Sequence, residues 1–529
     1  MSLKKNNHPT DSNSLVSIVN KHMVIIFLIT FLFVAFAVFM VTYPFSDSDS
    51  LENELSTVNE TINDTISPEG INQAVSIEIK RVHKRNIEDQ MRKIGFAWKQ
   101  KPLFYVKAIL DDVSWESMDV TEWDTGFAGW QANRFVEDEK EKIEITFQII
   151  EKESSLFREK ETVIEEFQVI YDFRTGRWNG DDSFRDNDGY GHYVGSDFEL
   201  WFEIYQTEQD RDDIPYWTEI NVLRSNHTID DSLLDPDNDG IPTSWEWKWG
   251  YDPFSYDNHS RLDPDNDGLN NIEEYNLAKW LANPYHKDIY LEVDFMEKGP
   301  GLFADEHIFF KESQWILMDV FTPHNITVHI DDGWPTGSNI GGGEYLPYTD
   351  EDISPISGVF SGFYKYHFAD CRKGSFRYVI IHPSGGWCFT QTNDLTCDVL
   401  SISDNTMFYT AVFSPPAVTP RLQRLAMAVE VLHELGHSLG LIPSYHAGID
   451  NASQAGRNNL PILQKMQARR AAKEYWDTYQ SVMNYDKFGQ YVLDYSDGSH
   501  GKRDSDDWEY IDLTFFQTPF DEKYGIGND

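Results

Sequence analysis

The residues with the most specific chemistry lie near the C-terminal end of the sequence. His433, Glu434 and His437 form an H-E-x-x-H pattern. Apolar residues before it recur at helical spacing, and Pro420 can open the helix. Histidines at i and i+4 lie on one helix face, where two imidazole nitrogens can bind one zinc ion. Glu434 beside them can act as general base towards a zinc-bound water. The pattern therefore predicts zinc-dependent hydrolytic chemistry.

Two further elements accompany the histidine pattern. Gly440 extends it to H-E-x-x-H-x-x-G, and a downstream Ser-Val-Met-Asn-Tyr run contains Met483 and Tyr485. Together these residues resemble the metzincin clan of zinc peptidases, which has a Gly-terminated active-site helix and a Met-turn. The resemblance implies that Met483 floors the zinc site and that Tyr485 binds zinc or steadies the oxyanion. The expected strand-helix-strand order before the motif is similar to the clan's upper subdomain.

The sequence departs from the clan at the third zinc ligand. The resemblance places that ligand at position 443, which is Pro443 here. His446 is the first candidate in its place, because imidazole suits zinc and the residue lies in the adjacent loop. Asp450 is the second candidate, since a carboxylate can also complete the set. If neither residue binds, the zinc site is impaired.

Two acidic loops in the middle of the chain predict calcium sites. The first loop, residues 235–246, and the second loop, residues 263–274, both fit D-x-[DN]-x-[DN]-G-x5-E. Their carboxylates converge on one ion, and the Gly allows the sharp turn. Because every expected ligand atom is oxygen, we expect calcium. The expected ligands are Asp235, Asp237, Asp239, Ile241 and Glu246 in the first loop and Asp263, Asp265, Asp267, Leu269 and Glu274 in the second.

A degraded copy, the upstream loop of residues 208–219, precedes the first loop. Asp213 occupies its Gly position, where the turn needs a positive φ, so we expect weak calcium binding or none. The three loops resemble the calcium loops of thrombospondin type 3 repeats and dockerins. A structural role is expected for them, fixing the preceding domain, rather than calcium sensing. The candidate ligands of the upstream loop are Glu208, Asp210, Asp212 and Glu219.

The remaining patterns divide the chain into segments. Residues 1–22 are expected in the cytoplasm, 23–43 form an apolar run that predicts a transmembrane helix, and 44–75 have the composition of a disordered stalk. Period-two alternation over 76–205 predicts an antiparallel β domain, followed by the calcium loops in 206–284. Strands alternating with helices over 285–529 predict an α+β zincin domain, similar to metzincins.

This arrangement predicts a single-pass membrane protein whose body lies outside the cytoplasm. The body is secreted instead if the apolar segment is a cleaved signal peptide. The formal net charge of −44 argues against a nucleic-acid partner and suits cation binding. Sequons for N-glycosylation fit an exported glycoprotein; they lie at Asn59, Asn63, Asn226, Asn258, Asn325 and Asn451.

The sequence as a whole favours a membrane-anchored, calcium-stabilised zinc endopeptidase that acts on proteins or peptides. One zinc ion, two calcium ions and a possible third are expected, and no organic cofactor. The alternative is a calcium-rigidified adhesion or structural protein of the cell surface with an inactive zincin domain, which Pro443 favours. A zinc hydrolase acting on a non-peptide amide is a third possibility, because H-E-x-x-H chemistry does not itself select the acyl substrate.

Overall fold

The computed structural model describes most of the chain between residues 73 and 520. The described residues are 73–87, 103–121, 124, 129–137, 140–155, 158–183, 189–300, 307–333, 341–351, 353, 358–383, 387–388, 398–404, 419–451 and 461–520. All of them belong to one unit of the chain, Thr65–Asp529.

The predicted transmembrane helix finds no support. Residues 23–43 lie outside the described residues, as do the predicted cytoplasmic segment and nearly all of the stalk. Within the described ranges, none of the helices combines the length and the apolar character that a membrane crossing requires. The predicted fold class, which began with a transmembrane helix, and the predicted single-pass localisation are corrected accordingly. Neither enters the proposed function.

The N-terminal part of the described chain forms two antiparallel sheets. Its strands are β1 Ala74–Lys84, β2 Phe104–Leu110, β3 Val113–Glu116, β4 Trp130–Phe135, β5 Lys142–Ser155, β6 Arg158–Asp172, β7 Arg177–Gly180, β8 Gly191–Val194 and β9 Phe198–Gln206. One sheet has the order β4-β1-β9-β8, and the other has the order β3-β2-β5-β6-β7. Each neighbouring pair is antiparallel.

The alternating residues of these strands build one core between the two sheets. Ile143, Ile145 and Phe147 of β5 are buried, whereas the residues between them are exposed or half-buried. Phe147 stacks on Phe167 of β6 with 4.8 Å between ring centroids and lies 4.9 Å from Phe202 of the other sheet. The apolar faces of the two sheets thus shield each other from water, as in a β-sandwich. The antiparallel β domain expected from the alternation is present.

Short helices and the acidic loops connect the sandwich to the rest of the chain. The elements are α1 Tyr216–Thr218, a π-helical turn Glu219–Leu223, α2 Thr243–Trp249, α3 Asn271–Asn276 and a 3-10 turn Ala278–Trp280. An aromatic cluster around Trp245 and Trp249 packs between them. Arg177 of β7 donates to the carbonyl of Trp247 at 3.0 Å, and Tyr190 donates to that of Ala278 at 3.1 Å. These bonds attach the loop region to the sandwich.

The C-terminal part is built on a mixed sheet. Its elements are β10 Lys287–Met296, α4 Lys311–Phe321, a 3-10 turn Thr322–His324, β11 Ile326–Asp331, β12 Tyr345–Leu346, α5 Gly358–His367, a 3-10 turn Asp370–Arg372, β13 Phe376–His382, β14 Trp387–Cys388, β15 Val399–Ser403, α6 Thr419–Ser438, α7 Ile462–Tyr475, and 3-10 turns Tyr485–Gln490 and Leu513–Phe516. The strand order is β11-β10-β13-β15-β14, and β12 pairs with the end of β10. β14 is antiparallel to β15, whereas the other pairs are parallel.

Helices cover both faces of this sheet. Residues of α4 and α6 share one core cluster with Leu291 and Val293 of β10. Phe360 and Tyr364 of α5 share another with Tyr290, on the opposite face of the same strand. Strands of a parallel sheet covered on both sides are buried along their length, and β10 is buried from its second residue to its last. The β10-α4-β11 order is the strand-helix-strand order that the sequence predicts before the histidine pattern.

Candidate metal centres

Helix α6 carries the predicted zinc residues on a buried face. Leu425, Val429 and Leu432 pack into the core against the sheet. His433 and His437 are 1% and 4% exposed, and Glu434 between them is also buried. The helix ends at Ser438, and Gly440 follows with φ +92°. A residue without Cβ adopts this left-handed conformation readily, so Gly440 lets the chain turn sharply after the histidines.

Two backbone carbonyls orient the histidine rings. His433 Nδ1 lies 3.0 Å from the carbonyl oxygen of Val482, and His437 Nδ1 lies 2.6 Å from that of Leu441. Because a carbonyl only accepts, each Nδ1 carries the proton and donates. In the neutral imidazole this leaves the lone pair on Nε2, which is the arrangement of a metal-binding histidine held by a second hydrogen bond.

The third member of the cluster is Asp450. Its Oδ1 lies 3.1 Å from His433 Nε2 and 3.6 Å from His437 Nε2. Two ligands of a tetrahedral zinc ion are about 3.3 Å apart, since zinc–nitrogen bonds are about 2.0 Å. Asp450 is buried, has φ +54° and donates its N–H to the carbonyl of Met483 at 3.1 Å. The three side chains fit one zinc ion.

His446, the first candidate from sequence, lies elsewhere. The ring of His446 contacts that of Tyr510, with 4.4 Å between ring centroids. The backbone N–H of His446 donates to the carbonyl of Ile442. The turn that follows contains Gly448 at φ +104° and brings Asp450 back to the histidine helix. The structure therefore assembles His433, His437 and Asp450, and the order of preference between His446 and Asp450 is reversed.

Charge coupling ties the cluster together. Burial alone would lower the pKa of His433, but the hydrogen bond and charge of Asp450, with a contribution from Glu434, raise that pKa to about 9. Burial disfavours ionisation of Asp450, yet the two histidines hold its pKa well below the usual range. Without metal, the site is therefore an ion pair of His433 and Asp450.

The predicted Met-turn lies beneath the histidine helix. A Cβ atom built on Gly436 would come within 2.5 Å of Met483 Sδ and 2.7 Å of Tyr495. Met483 is fully buried there. The ring of Tyr485 lies 4.9 Å from that of His433. The structure thus brings both residues, whose roles the resemblance implies, to the histidines.

The first and second acidic loops have nearly the same backbone. Asn238 and Gly240 have φ of +62° and +99°, and Asn266 and Gly268 have φ of +61° and +99°. In each loop the first Asp accepts the N–H of the fifth residue, Asp235 at 3.1 Å and Asp263 at 3.2 Å. The same turns contain four further predicted ligands, which are Asp237 and Ile241 in the first loop and Asp265 and Leu269 in the second.

Several carboxylates of these loops are buried and crowded together. Neither oxygen of Glu246 nor of Glu274 has a hydrogen-bond partner among the described residues, and both side chains are buried. Burial and the charge of Asp267 raise the pKa of Asp265 to about 10, and burial with the charge of Asp288 raises that of Asp267 to about 8. Crowded carboxylates of this kind fit a bound divalent cation.

The upstream loop has the same turn despite its degraded sequence. Arg211 and Asp213 have φ of +69° and +66°, and Asp212 accepts the N–H of Ile214 at 2.9 Å as Asp239 accepts that of Ile241. Asp tolerates the left-handed region better than most residues, so the missing Gly is not prohibitive.

A carboxylate that sequence analysis missed joins the upstream loop. Carboxylate oxygens of Asp212, Glu219 and Asp231 lie within 4.8 Å of one another, as do those of Glu208, Asp210 and Asp212. Burial and mutual repulsion raise the pKa of Glu208 to about 9, of Glu219 to about 8 and of Asp212 to about 7. Asp231 lies outside the loop motif, so no local spacing rule could have identified it.

Comparisons with known proteins identify no family for the chain. No family model matches it, and no curated protein matches it. One solved structure with partial similarity is human GIVD cytosolic phospholipase A2 in complex with methyl gamma-linolenyl fluorophosphonate and terbium chloride. That match has 10% sequence identity and a TM-score of 0.17, and it covers 25% of this chain and 17% of that chain. A similarity this slight carries no argument about fold or activity.

Proposed function

We propose that the chain is a zinc-dependent endopeptidase whose acidic loops bind stabilising divalent cations. The observation that carries the proposal is the orientation of the two histidines. Carbonyls of Val482 and Leu441 accept from both Nδ1 atoms, so both Nε2 atoms are directed at the Oδ1 atom of Asp450. This is a His-His-Asp donor set on the H-E-x-x-H helix, with the Met-turn below it.

The side chains around this set have distinct tasks in peptide hydrolysis. Zinc, when bound, lowers the pKa of a coordinated water and polarises the scissile carbonyl. Glu434 is the general base that takes the proton of the attacking water and delivers it to the leaving amine. Tyr485, whose ring lies beside His433, can donate its hydroxyl proton to the oxyanion that forms.

The acidic loops support the peptidase sheet. Asp267 of the second loop accepts the N–H of Asp288, the second residue of β10, at 2.8 Å. The ligands expected in this loop are all oxygen atoms, which favours calcium. An ion there stiffens the segment between the sandwich and the first strand of the sheet.

A second candidate function is a cation-stiffened structural protein with an inactive zincin domain. Pro443, at the position where the resemblance places a ligand, favours this reading. Asp450 disfavours it, because a carboxylate completes the metal-binding group from another position.

Zinc analysis together with cleavage of an unstructured protein distinguishes the two functions. We expect the wild-type protein in calcium to hold one zinc ion and to cleave. Glu434→Gln should keep zinc and lose cleavage, and Asp450→Ala should lose both. His446→Ala is the matched control and should behave as wild type. A wild-type protein that binds no zinc and cleaves nothing would favour the structural protein.

A further inference from the structure

A histidine lies against the first acidic loop. His259 is fully buried, and its Nε2 atom lies 3.1 Å from Asp239 Oδ2 and 3.7 Å from Glu246 Oε1. Asp239 and Glu246 belong to the first loop, whose last residues lie in α2, and His259 belongs to the chain that follows α2. The first loop is therefore surrounded by both oxygen and nitrogen donors.

The separations fit ligands of one ion. Adjacent ligands bound to an octahedral cation at about 2.1 Å are roughly 3 Å apart. Neither His259 Nε2 nor the two oxygens of Glu246 make a hydrogen bond to any described residue, although all are buried. Buried polar atoms without hydrogen bonds are costly, and an ion pair of protonated His259 with Asp239 leaves both oxygens of Glu246 without one. A divalent cation satisfies all three atoms.

The amide of Asn271 holds the histidine ring. The Asn271 side chain is fully buried and lies 2.8 Å from His259 Nδ1. The contacting atom is Nδ2, and the amide oxygen of Asn271 has no hydrogen-bond partner among the described residues. Metal binding through Nε2 requires this amide in the reversed orientation, with its oxygen accepting the proton of Nδ1 and the lone pair of Nε2 facing the loop.

The two loops share one backbone contact but differ in the histidine beside them. Asp239 Oδ2 accepts the N–H of Asp257 at 3.1 Å, and Asp267 Oδ2 accepts the N–H of Asp288 at 2.8 Å. The histidine near the second loop, His329, directs its Nε2 at the carboxylate of Asp288 at 2.9 Å. Two loops with the same sequence pattern thus have different donor sets.

We propose that the first loop binds a transition-metal cation of the Mn²⁺ class through Asp239, Glu246 and His259. Carboxylate and imidazole ligands together suit manganese, iron or zinc, whereas calcium takes oxygen ligands. The second loop, with oxygen donors, takes calcium. The inference rests on the proposed cation-binding role of the first loop and changes the ion assigned to it.

Pulsed electron paramagnetic resonance of bound Mn²⁺ tests the proposal. The full-length protein is first given one equivalent of zinc for the histidine helix and excess calcium, and then Mn²⁺. We expect a nitrogen hyperfine coupling to Mn²⁺ that changes when the histidines are labelled with ¹⁵N. The same coupling should appear in a His433→Ala, His437→Ala background, which shows that it does not come from the histidine helix.

Variants at two histidines locate the signal. His259→Gln should abolish the coupling and raise the Mn²⁺ dissociation constant at least about tenfold, while far-UV circular dichroism stays unchanged. His329→Gln, beside the second loop, should keep the coupling. If His259→Gln does not fold, the ¹⁵N labelling of the wild-type protein still decides whether a histidine binds.

Three outcomes overturn the inference. Coupling that persists in His259→Gln assigns the nitrogen ligand to another residue. Mn²⁺ binding without any nitrogen coupling makes the first loop an oxygen-only site and leaves its proposed cation role intact. If Glu246→Gln changes neither the Mn²⁺ nor the Ca²⁺ stoichiometry, the loop binds no ion, and its proposed stabilising role fails as well.

Discussion

At the residue scale, Asp450 serves the metal-free and the metal-bound protein differently. Without zinc it pairs with a protonated His433. The buried site then holds two opposite charges, and its ligand atoms are not left unpaired. In the proposed zinc-bound state, the same oxygen and both Nε2 atoms would be the ligands of the ion. The cluster can therefore be prearranged without metal, because each state satisfies the same buried atoms.

Because zinc and a proton compete for His433, zinc affinity should depend on pH. The pKa of His433 is raised to about 9, so at pH 7 the ring carries a proton that zinc must displace. The apparent association constant should rise by up to about tenfold per pH unit between pH 7 and 9, because one proton is released. Chelator competition at several pH values measures it. Equal zinc affinity at pH 7 and 8.5 contradicts a protonated His433.

A second residue-scale prediction concerns Gly436. Gly436→Ala would drive a Cβ into Met483 Sδ and Tyr495, so we expect a loss of about 1–3 kcal/mol of unfolding free energy and weaker zinc binding. Gly362→Ala in α5 is the control, since nothing lies within 4 Å of its Cβ. That change should be neutral or stabilise by up to about 1 kcal/mol. Urea unfolding of both variants checks this, and an unaffected Gly436→Ala would mean that the Met-turn is not packed under the helix.

At the scale of elements, the upstream loop keeps the backbone conformation of its neighbours although its sequence motif is degraded. The upstream loop lacks the Gly and the first Asp, yet it repeats the positive φ values and the side-chain-to-backbone bond of its neighbours. Asp231 adds a carboxylate from the chain between this loop and the first one. The carboxylate cluster of the upstream loop is thus larger than the twelve-residue motif.

The upstream loop should therefore bind calcium through Asp231. We expect Asp231→Asn to lower the number of bound calcium ions by one, or to weaken one site by about tenfold or more, because it removes a carboxylate from the cluster. Asp230→Asn removes the same charge from the neighbouring exposed residue and should leave calcium binding unchanged. Equilibrium dialysis with metal analysis measures both. An identical stoichiometry and affinity in Asp231→Asn and wild type would exclude Asp231 as a ligand.

The elements that sequence analysis predicted are those with local patterns. The helix of His433 and His437 follows from i, i+4 spacing, and the paired loops follow from alternating carboxylates. Asp450, Asp231 and His259 were missed or ranked second, because each reaches its site through a turn whose direction depends on tertiary packing. A chain turn at Gly448, for example, decides between His446 and Asp450, and no spacing rule contains that information.

At the scale of the whole molecule, the acidic loops should make stability depend on calcium and pH together. Three of their carboxyl groups have folded-state pKa values well above the unfolded ones, near 10 for Asp265, 9 for Glu208 and 8 for Glu219. The calcium-free folded protein thus binds more protons than the unfolded chain, so its stability falls as pH rises from about 4 through these pKa values.

Thermal unfolding at two calcium levels tests this. In chelator, the unfolding temperature should fall by several degrees between pH 5.5 and 8.5, and saturating calcium should remove most of that decrease, because the ion replaces the protons. Magnesium at equal ionic strength is the control for general screening. A calcium-free protein that becomes more stable with rising pH would contradict the raised pKa values.

The hydrogen bond between Asp267 and the N–H of Asp288 has a consequence for how the chain acquires its shape. It joins the second loop to β10, an interior strand of the sheet that pairs with both β11 and β13. A calcium ion bound there as proposed would fix the direction of β10 before its partner strands, which lie later in the sequence, can dock. We therefore expect a chain made without calcium to reach its folded structure more slowly than one made with it.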